Sequence, residues 1–323
     1  MRVSQLSAAD LRSVWPVPPL ARRGDAAGSL DLAESRRVVE HILAGGVRRL
    51  LYGGNAFLYH FRMAEYEELL EWLSGLPEEC TIVPSAGPSF GRAMDQAAVA
   101  RRRRFPAVMM LPGGDPRDAA GLEEGLRRIA EAAAVPLILY LKDDSNFGAD
   151  QERGLDAVAR LVDQGVAVGI KYAVARTDPA DDPYLASLLR RVDPSKVLSG
   201  IGERPAVTHL RQWKLPGFTT GSGCLAPALS RGIFEACAAG DFGRAVELRA
   251  AFLPLEDFRD SWGPARVLHA ATEAAGVART GAIPPFVSPL SAVQIERLRP
   301  VARALVEHNR RAVESELVSS PPA

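Results

Sequence analysis

The feature of this 323-residue sequence that most restricts its fold is an alternation between short apolar runs and longer segments with helical periodicity. Eight strand signals alternate with helical ones between residues 14 and 238. That order is typical of a parallel sheet in which each crossover is a helix. The strands are predicted at 11–20, 47–52, 81–83, 107–111, 135–140, 166–173, 196–200 and 217–220. We therefore predict that residues 1–238 form an α/β fold, an eight-stranded parallel (β/α)8 barrel.

Beyond Ala226 the pattern becomes wholly helical, with segments predicted at 227–238, 243–253, 264–275 and 291–316. Glycine and proline residues separate these segments, as expected between helices. We predict that residues 239–316 form a C-terminal helical extension packed on the barrel. We expect residues 317–323 to form a disordered tail, because residues 319–323 are small or polar.

Composition and charge restrict the class of protein. Hydrophobic residues make up 47% of the chain, which is enough apolar material for one large core. Lys plus Arg and Asp plus Glu both number 39, so no basic surplus indicates nucleic acid or an anionic membrane as a partner. The sequence has no apolar run approaching about 18 residues and no signal-peptide pattern at its start, so we expect neither a membrane span nor a signal peptide.

The cysteine content bears on the expected compartment. Cys80, Cys224 and Cys237 are few, odd in number and without the spacing of metal ligands. Such cysteines are typical of reduced thiols, and we expect a cytoplasmic protein.

One strand carries a candidate nucleophile. The segment VAVGIKYA, residues 166–173, places Lys171 near the carboxyl end of an apolar run. The β-branched residues Val166, Val168 and Ile170 favour a buried strand. An ammonium group in an apolar setting has a lowered pKa, and the neutral amine can attack a ketone carbon to form a Schiff base.

Lysine is scarce in this chain, which adds weight to Lys171. Only four lysines occur, whereas the other 35 basic residues are arginines. A chain that uses arginine for ordinary surface charge has more reason to place a lysine in an apolar strand for its chemistry. The alternative is a lysine that reaches solvent from the strand end or pairs with a carboxylate.

The preceding strand supplies a second candidate residue and a family resemblance. The segment VPLILYLKDDSN, residues 135–146, opens with an apolar strand that ends in Tyr140. A strand ending in tyrosine followed by a GIK strand resembles the dihydrodipicolinate synthase/N-acetylneuraminate lyase family of class I aldolases, which are TIM barrels acting on 2-oxo acids. The resemblance implies that Lys171 forms the Schiff base with pyruvate and that Tyr140 relays protons. It also implies a homotetramer or homodimer, and a reaction that needs no metal or organic cofactor.

The loop after the second strand resembles the family's carboxylate-binding loop only in part. Glycines at a strand end let backbone amides approach an anion, and here Gly53, Gly54 and Asn55 follow the strand at 47–52. Where the family has a GTTGE-like sequence, Gly54 and Asn55 replace the two threonines and Phe57 replaces the glutamate. The Asn55 amide can still donate a hydrogen bond, although the hydroxyl relay to the tyrosine is lost. The alternative interpretation of the motif is a tight turn.

Two further loops are expected to line the substrate pocket. The resemblance places a small-residue loop at Gly202, after the seventh strand, and a glycine- and serine-rich exit at Ser222, after the eighth. Hydroxyls and free amides there suit a polyhydroxylated 2-oxo acid. The alternative is two ordinary polar loops.

One position argues against dihydrodipicolinate synthase itself. After the tyrosine, the synthases carry an arginine that binds the carboxylate of the second substrate, and Ser145 stands at that position here. The adjacent charges of Lys142, Asp143 and Asp144 either face a hydroxylated or cationic substrate or are solvated loop charges.

Two functions remain open at this stage. The first is a lyase that forms a Schiff base with a 2-oxo acid, such as pyruvate or a 2-keto-3-deoxy sugar acid, and acts as an aldolase or a dehydratase. The second is a barrel that has lost catalysis and serves as a binding or structural protein, for which the altered GGNAF loop is the best support.

Overall fold

The computed structural model describes residues 1–25, 28–114 and 117–319, and an eight-stranded parallel barrel lies at its centre. The strands are β1 (Val14–Pro16), β2 (Arg49–Tyr52), β3 (Thr81–Ala86), β4 (Val108–Met110), β5 (Leu137–Leu141), β6 (Ala167–Tyr172), β7 (Val197–Ser199) and β8 (Phe218–Thr220). They are hydrogen-bonded in the order β1-β8-β7-β6-β5-β4-β3-β2, so the barrel is nearly closed where β1 and β2 meet. The predicted TIM barrel is confirmed.

A layer of helices surrounds the strands. It consists of α1 (Leu32–Ala44), α2 (Met63–Ser74), α3 (Phe90–Arg102), α4 (Ala119–Ala133), α5 (Gln151–Asp163), α6 (Pro183–Leu189), α7 (Glu203–Gln212) and α8 (Pro227–Ala238). The sequence pattern did not predict α7, because its segment ERPAVTHLRQ contains a proline and few apolar residues. Its absence from the prediction matters for the site, since α7 begins directly after Gly202.

Aspartate residues start several of these helices. The carboxylates of Asp31, Asp118, Asp150 and Asp182 each accept a hydrogen bond from a backbone amide in the first turn of α1, α4, α5 and α6. Such caps satisfy amides that have no partner inside the helix. Asp150 sets the start of α5 at Gln151.

The glycine of the GIK segment is required by packing at the amino end of β6. A side-chain carbon on Gly169 would lie 2.5 Å from Leu11 Cδ1 and 3.0 Å from the Lys196 carbonyl oxygen. Leu11 belongs to a short 3-10 helix, Ala8–Leu11, and is fully buried. The N-terminal segment therefore packs directly against the strand that carries Lys171.

The remaining helices form the C-terminal extension. They are α9 (Phe242–Ala250), α10 (Leu253–Trp262), α11 (Pro264–Ala274) and α12 (Ala292–Ser319). The sequence did not predict α10, which Gly263 separates from α11 with a φ of 97°. The helix α12 runs to Ser319, into the segment expected as a tail, and residues 320–323 lie outside the described part of the chain. The domain limits at 238 and 316 stay predictions.

The parallel arrangement brings all the candidate site residues to one end of the barrel. Asn55, Tyr140, Lys171, Gly202 and Ser222 lie at or just beyond the carboxyl ends of β2, β5, β6, β7 and β8. Catalytic residues collect at this end of TIM barrels. None of the described helices has the length and apolar character needed to cross a bilayer.

Candidate active site

Lys171 and Tyr140 face each other on adjacent strands. The register of β5 and β6 pairs Tyr140 with Lys171, and Lys171 Nζ lies 4.2 Å from the centroid of the Tyr140 ring. Lys171 is only 6% exposed. Across the described residues, no carboxylate lies within ion-pair distance of Nζ. The structure therefore does not place Lys171 in either alternative setting, at solvent or beside a carboxylate.

The surroundings of Lys171 favour the neutral amine. Its pKa is lowered from 10.5 to about 7, chiefly by burial and in the same direction by the positive charges of Arg259 and Lys142. Burial also raises the pKa of the Tyr140 phenol, which the same two cations oppose. An uncharged amine beside a protonated phenol is the pair needed for attack on a carbonyl with a proton donor at hand.

The loop after β2 forms a 3-10 turn at Gly54–Ala56. The first amides of such a turn, here those of Gly54 and Asn55, have no partner within the turn itself. A side-chain carbon on Gly53 would lie 3.1 Å from Ser85 Oγ and 3.2 Å from Met109 Cε, so the loop fits closely against β3 and β4. Asn55 Nδ2 donates a hydrogen bond to the Val17 carbonyl oxygen at 2.8 Å. One amide hydrogen of Asn55 is thus engaged, and the second is available to a ligand.

The loops after β7 and β8 hold polar groups in buried positions. Gly202 has a φ of +84°, and a side-chain carbon there would lie 3.1 Å from Glu256 Oε2. Ser222 is fully buried, and its hydroxyl donates to Glu256 Oε1 and accepts from Arg259 Nη1 at 3.2 Å. In this structure Gly202 therefore leaves room for the Glu256 carboxylate, and Ser222 hydrogen-bonds to both Glu256 and Arg259. Their direct contact with a substrate stays a prediction.

Comparison with known proteins defines the family. The model of the dihydrodipicolinate synthetase family matches residues 18–305, which is most of the chain. The chain belongs to this family. A search of curated proteins found no match.

Solved structures agree on the fold. Dihydrodipicolinate synthase from Bacillus clausii superposes with a TM-score of 0.77 at 22% identity, covering 91% of this chain and 97% of that one. The synthase from Agrobacterium tumefaciens gives 0.79 at 19% identity, covering 93% and 100%. A prophage protein of the dihydrodipicolinic acid synthase family from E. coli K12, solved in complex with pyruvate, gives 0.75 at 18% identity, covering 91% and 98%. At these identities the likeness establishes the shared fold alone.

A cluster that the sequence did not reveal lies beside the loops after β7 and β8. Arg259, on α10 of the extension, is 7% exposed, and its Nη1 donates to Glu256 Oε1 at 2.8 Å. The only sign of the cluster in the local sequence was the spacing of Glu256 and Arg259, three residues apart, in a segment between the helices predicted at 243–253 and 264–275. What makes the pair notable is its burial, which depends on how α10 packs against the barrel.

Glu203 completes this cluster at the start of α7. Its Oε1 accepts hydrogen bonds from Thr220 Oγ1 at 2.6 Å and Ser230 Oγ at 2.5 Å, whereas Oε2 has no partner among the described residues. Burial, followed by the negative charge of Glu256, raises the pKa of Glu203. The protonated form of Glu203 lessens the repulsion between the two buried carboxyl groups.

The loop after β5 holds Ser145 and the charged residues that the sequence marked. Ser145 is exposed, and its hydroxyl donates to Asp143 Oδ1 at 2.6 Å. Asp144 accepts from Arg176 Nη2, on the loop after β6, at 2.7 Å. Lys142 and Asp143 are also exposed, which favours the interpretation as solvated loop charges.

Proposed function

We propose that the chain is a lyase that forms a Schiff base with a 2-oxo acid. The observation that carries the proposal is the buried Lys171 amine above the Tyr140 ring, with a pKa lowered to about 7. Membership of the dihydrodipicolinate synthetase family supports the same chemistry. A barrel that had lost catalysis would gain nothing from an amine buried without a charged partner, because such burial destabilises the fold.

The proposed reaction starts at the ketone. The neutral Nζ of Lys171 attacks C2 of the 2-oxo acid, and the carbinolamine takes up one proton and loses water, which leaves an iminium ion. This cation accepts the electron pair released at C3, either when the C3–C4 bond breaks or when a proton leaves C3 before dehydration. Tyr140 moves the proton to or from the leaving hydroxyl. Aldolase and dehydratase share the enamine and differ only in the group that leaves.

Gly53, Gly54 and Asn55 are proposed to bind the substrate carboxylate, with Gly202 and Ser222 shaping the pocket for the rest of the substrate. Pyruvate and 2-keto-3-deoxy sugar acids are the candidate substrates. The absence of an arginine at Ser145 speaks against dihydrodipicolinate synthase proper. Assembly as a homotetramer or homodimer, a cytoplasmic location, and independence from metal and organic cofactors stay predictions.

Reductive trapping tests the proposal. The full-length protein is incubated with pyruvate and sodium borohydride, and the modified lysine is located by mass spectrometry. We expect the adduct on Lys171 and its loss in Lys171→Met. The control Lys214→Met, which changes an exposed lysine, should keep the adduct. Labelling confined to Lys142, Lys196 or Lys214 would contradict the assignment.

A further inference from the structure

We propose that Arg259, carried by the C-terminal extension, binds the carboxylate next to the ketone of the substrate. The inference rests on the proposed function and deepens it, because it supplies the charged contact that the altered loop after β2 lacks. The family's hydroxyl-bearing pair is replaced here by Gly54 and Asn55. Arg259 offers a planar guanidinium suited to a carboxylate.

The first argument is geometric. A side-chain carbon built on Gly221 would lie 2.4 Å from Arg259 Nη2 and 2.9 Å from Asn55 Nδ2. Two nitrogen donors, one from the extension and one from the loop after β2, thus converge beside the exit of β8. Any residue larger than glycine at 221 would displace them. Arg259 therefore lies close to Asn55, in the loop after β2 that the family resemblance predicts to bind the carboxylate.

The second argument comes from hydrogen-bond accounting. Arg259 Nη1 is engaged by Glu256 and Ser222, and Nε donates to the Pro264 carbonyl oxygen at 3.4 Å. Within the described ranges, Nη2 donates to nothing. Among the described residues, Nη2 is not one of the fully buried polar atoms that lack a partner, so it reaches solvent and is open to an anion. Glu256 and Ser222 therefore fix the guanidinium plane and leave Nη2 for an anion.

The third argument concerns position relative to the chemistry. Arg259 Nη1 donates to Ser222, just beyond the carboxyl end of β8, and Lys171 and Tyr140 stand near the carboxyl ends of β6 and β5, so the guanidinium lies at the same end of the barrel. Its charge also helps to lower the pKa of Lys171. A 2-oxo acid held at Nζ through C2 carries its carboxylate one bond away. Because Arg259 converges with Asn55 and not with the loop after β5, we assign it to this carboxylate and not to a distal one.

The decisive experiment compares two carbonyl compounds that differ in the carboxylate. Borohydride trapping rates are measured for pyruvate and for hydroxyacetone, which has a ketone and no carboxylate. In Arg259→Gln the pyruvate rate constant should fall about 10- to 100-fold at low concentration, the usual effect of removing a hydrogen bond to a charged group. The hydroxyacetone rate should fall much less, and only because the pKa of Lys171 loses the lowering effect of the Arg259 charge. The ratio of the two rates is independent of the fraction of folded protein.

Two further variants sharpen the comparison. Arg259→Lys keeps the positive charge and loses the paired donors of the guanidinium, so its pyruvate rate should lie between those of Arg259→Gln and the wild-type protein. The control Arg204→Gln removes an arginine that pairs with Asp257 and Asp260 of the same helix, α10, and should leave the ratio unchanged. Equal effects on both compounds in Arg259→Gln, or none, would overturn the assignment. So would a loss seen only with the dicarboxylic 2-oxoglutarate, which would place Arg259 at a distal carboxylate.

The same contact is measurable without Schiff-base formation, which separates this inference from the proposed function. Calorimetric titration of Lys171→Met with pyruvate reports carboxylate binding alone. Adding Arg259→Gln to that protein should weaken pyruvate binding by the same 10- to 100-fold factor, roughly. Failure of the wild-type protein to trap any 2-oxo acid would refute the proposed function, whereas an unchanged affinity in the double variant would refute the role of Arg259.

Discussion

Replacing Lys171 by methionine should stabilise the fold while abolishing Schiff-base formation. The pKa of Lys171 falls from 10.5 in an exposed setting to about 7 in the folded protein. Between these two values the unfolded chain binds a proton that the folded protein does not, so stability rises with pH across this window. Below about pH 7 the amine is protonated in both states, and the fold bears the full free-energy cost of burying its charge. At about 1.4 kcal/mol per pH unit, the penalty is about 4 kcal/mol near pH 7 and about 2 kcal/mol near pH 9.

Methionine fills a similar volume without an ionisable group, so it escapes this penalty. Urea denaturation of both proteins at several pH values measures the difference directly. We expect Lys171→Met to be more stable by about 4 kcal/mol near pH 7, with the gain shrinking as pH rises. The control Lys214→Met alters an exposed side chain and should show no such trend. A Lys171→Met protein that is no more stable, or whose gain does not vary with pH, would refute the burial argument.

Three more predictions concern activity. The trapping rate with pyruvate should rise as pH increases through about 7 and then level off, because attack requires the neutral amine; a rate that falls over this range would contradict the lowered pKa. Tyr140→Phe should leave imine formation nearly intact and slow turnover by roughly 10²- to 10⁴-fold, since it removes a proton relay; a single-turnover assay distinguishes the two steps. Condensation of pyruvate with aspartate semialdehyde should be inefficient, because the missing arginine at Ser145 costs on the order of 2–5 kcal/mol; a robust rate in a coupled synthase assay would show otherwise.

The sequence sufficed for the fold and for the pair of residues at its centre because their signals are local. Each strand is an apolar run followed by a helical segment, and the parallel arrangement brings every carboxyl end to the same face. Lys171 and Tyr140 stand at such ends, so their proximity follows from strand order alone. Neither required knowledge of how the outer layer packs.

The helices α7 and α10 escaped prediction for a shared reason. Both are ten residues long with a proline in the first turn, and each contributes a buried carboxyl group, Glu203 or Glu256, beside the loops after β7 and β8. Sequence patterns treat charged residues as solvent-facing, since burial of unpaired charge is unfavourable. Here the charges are paired with Arg259 and the hydroxyls of Thr220 and Ser222.

The buried cluster of Glu203, Glu256 and Arg259 brings the C-terminal extension next to the loop after β2. A barrel that binds a carboxylate through hydroxyls and amides at β2 needs nothing from its C-terminal helices, whereas this chain carries Gly54 and Asn55, without hydroxyls, in that loop. Asn55 holds the β2 loop to the end of β1 through the Val17 carbonyl, and its Nδ2 and Arg259 Nη2 would lie 2.9 Å and 2.4 Å from a side-chain carbon on Gly221. We therefore expect Gly221, Asn55 and Arg259 to act together in binding the carboxylate. Asn55→Thr alone should not restore a hydroxyl-based carboxylate loop, because the Arg259 guanidinium already lies next to Gly221.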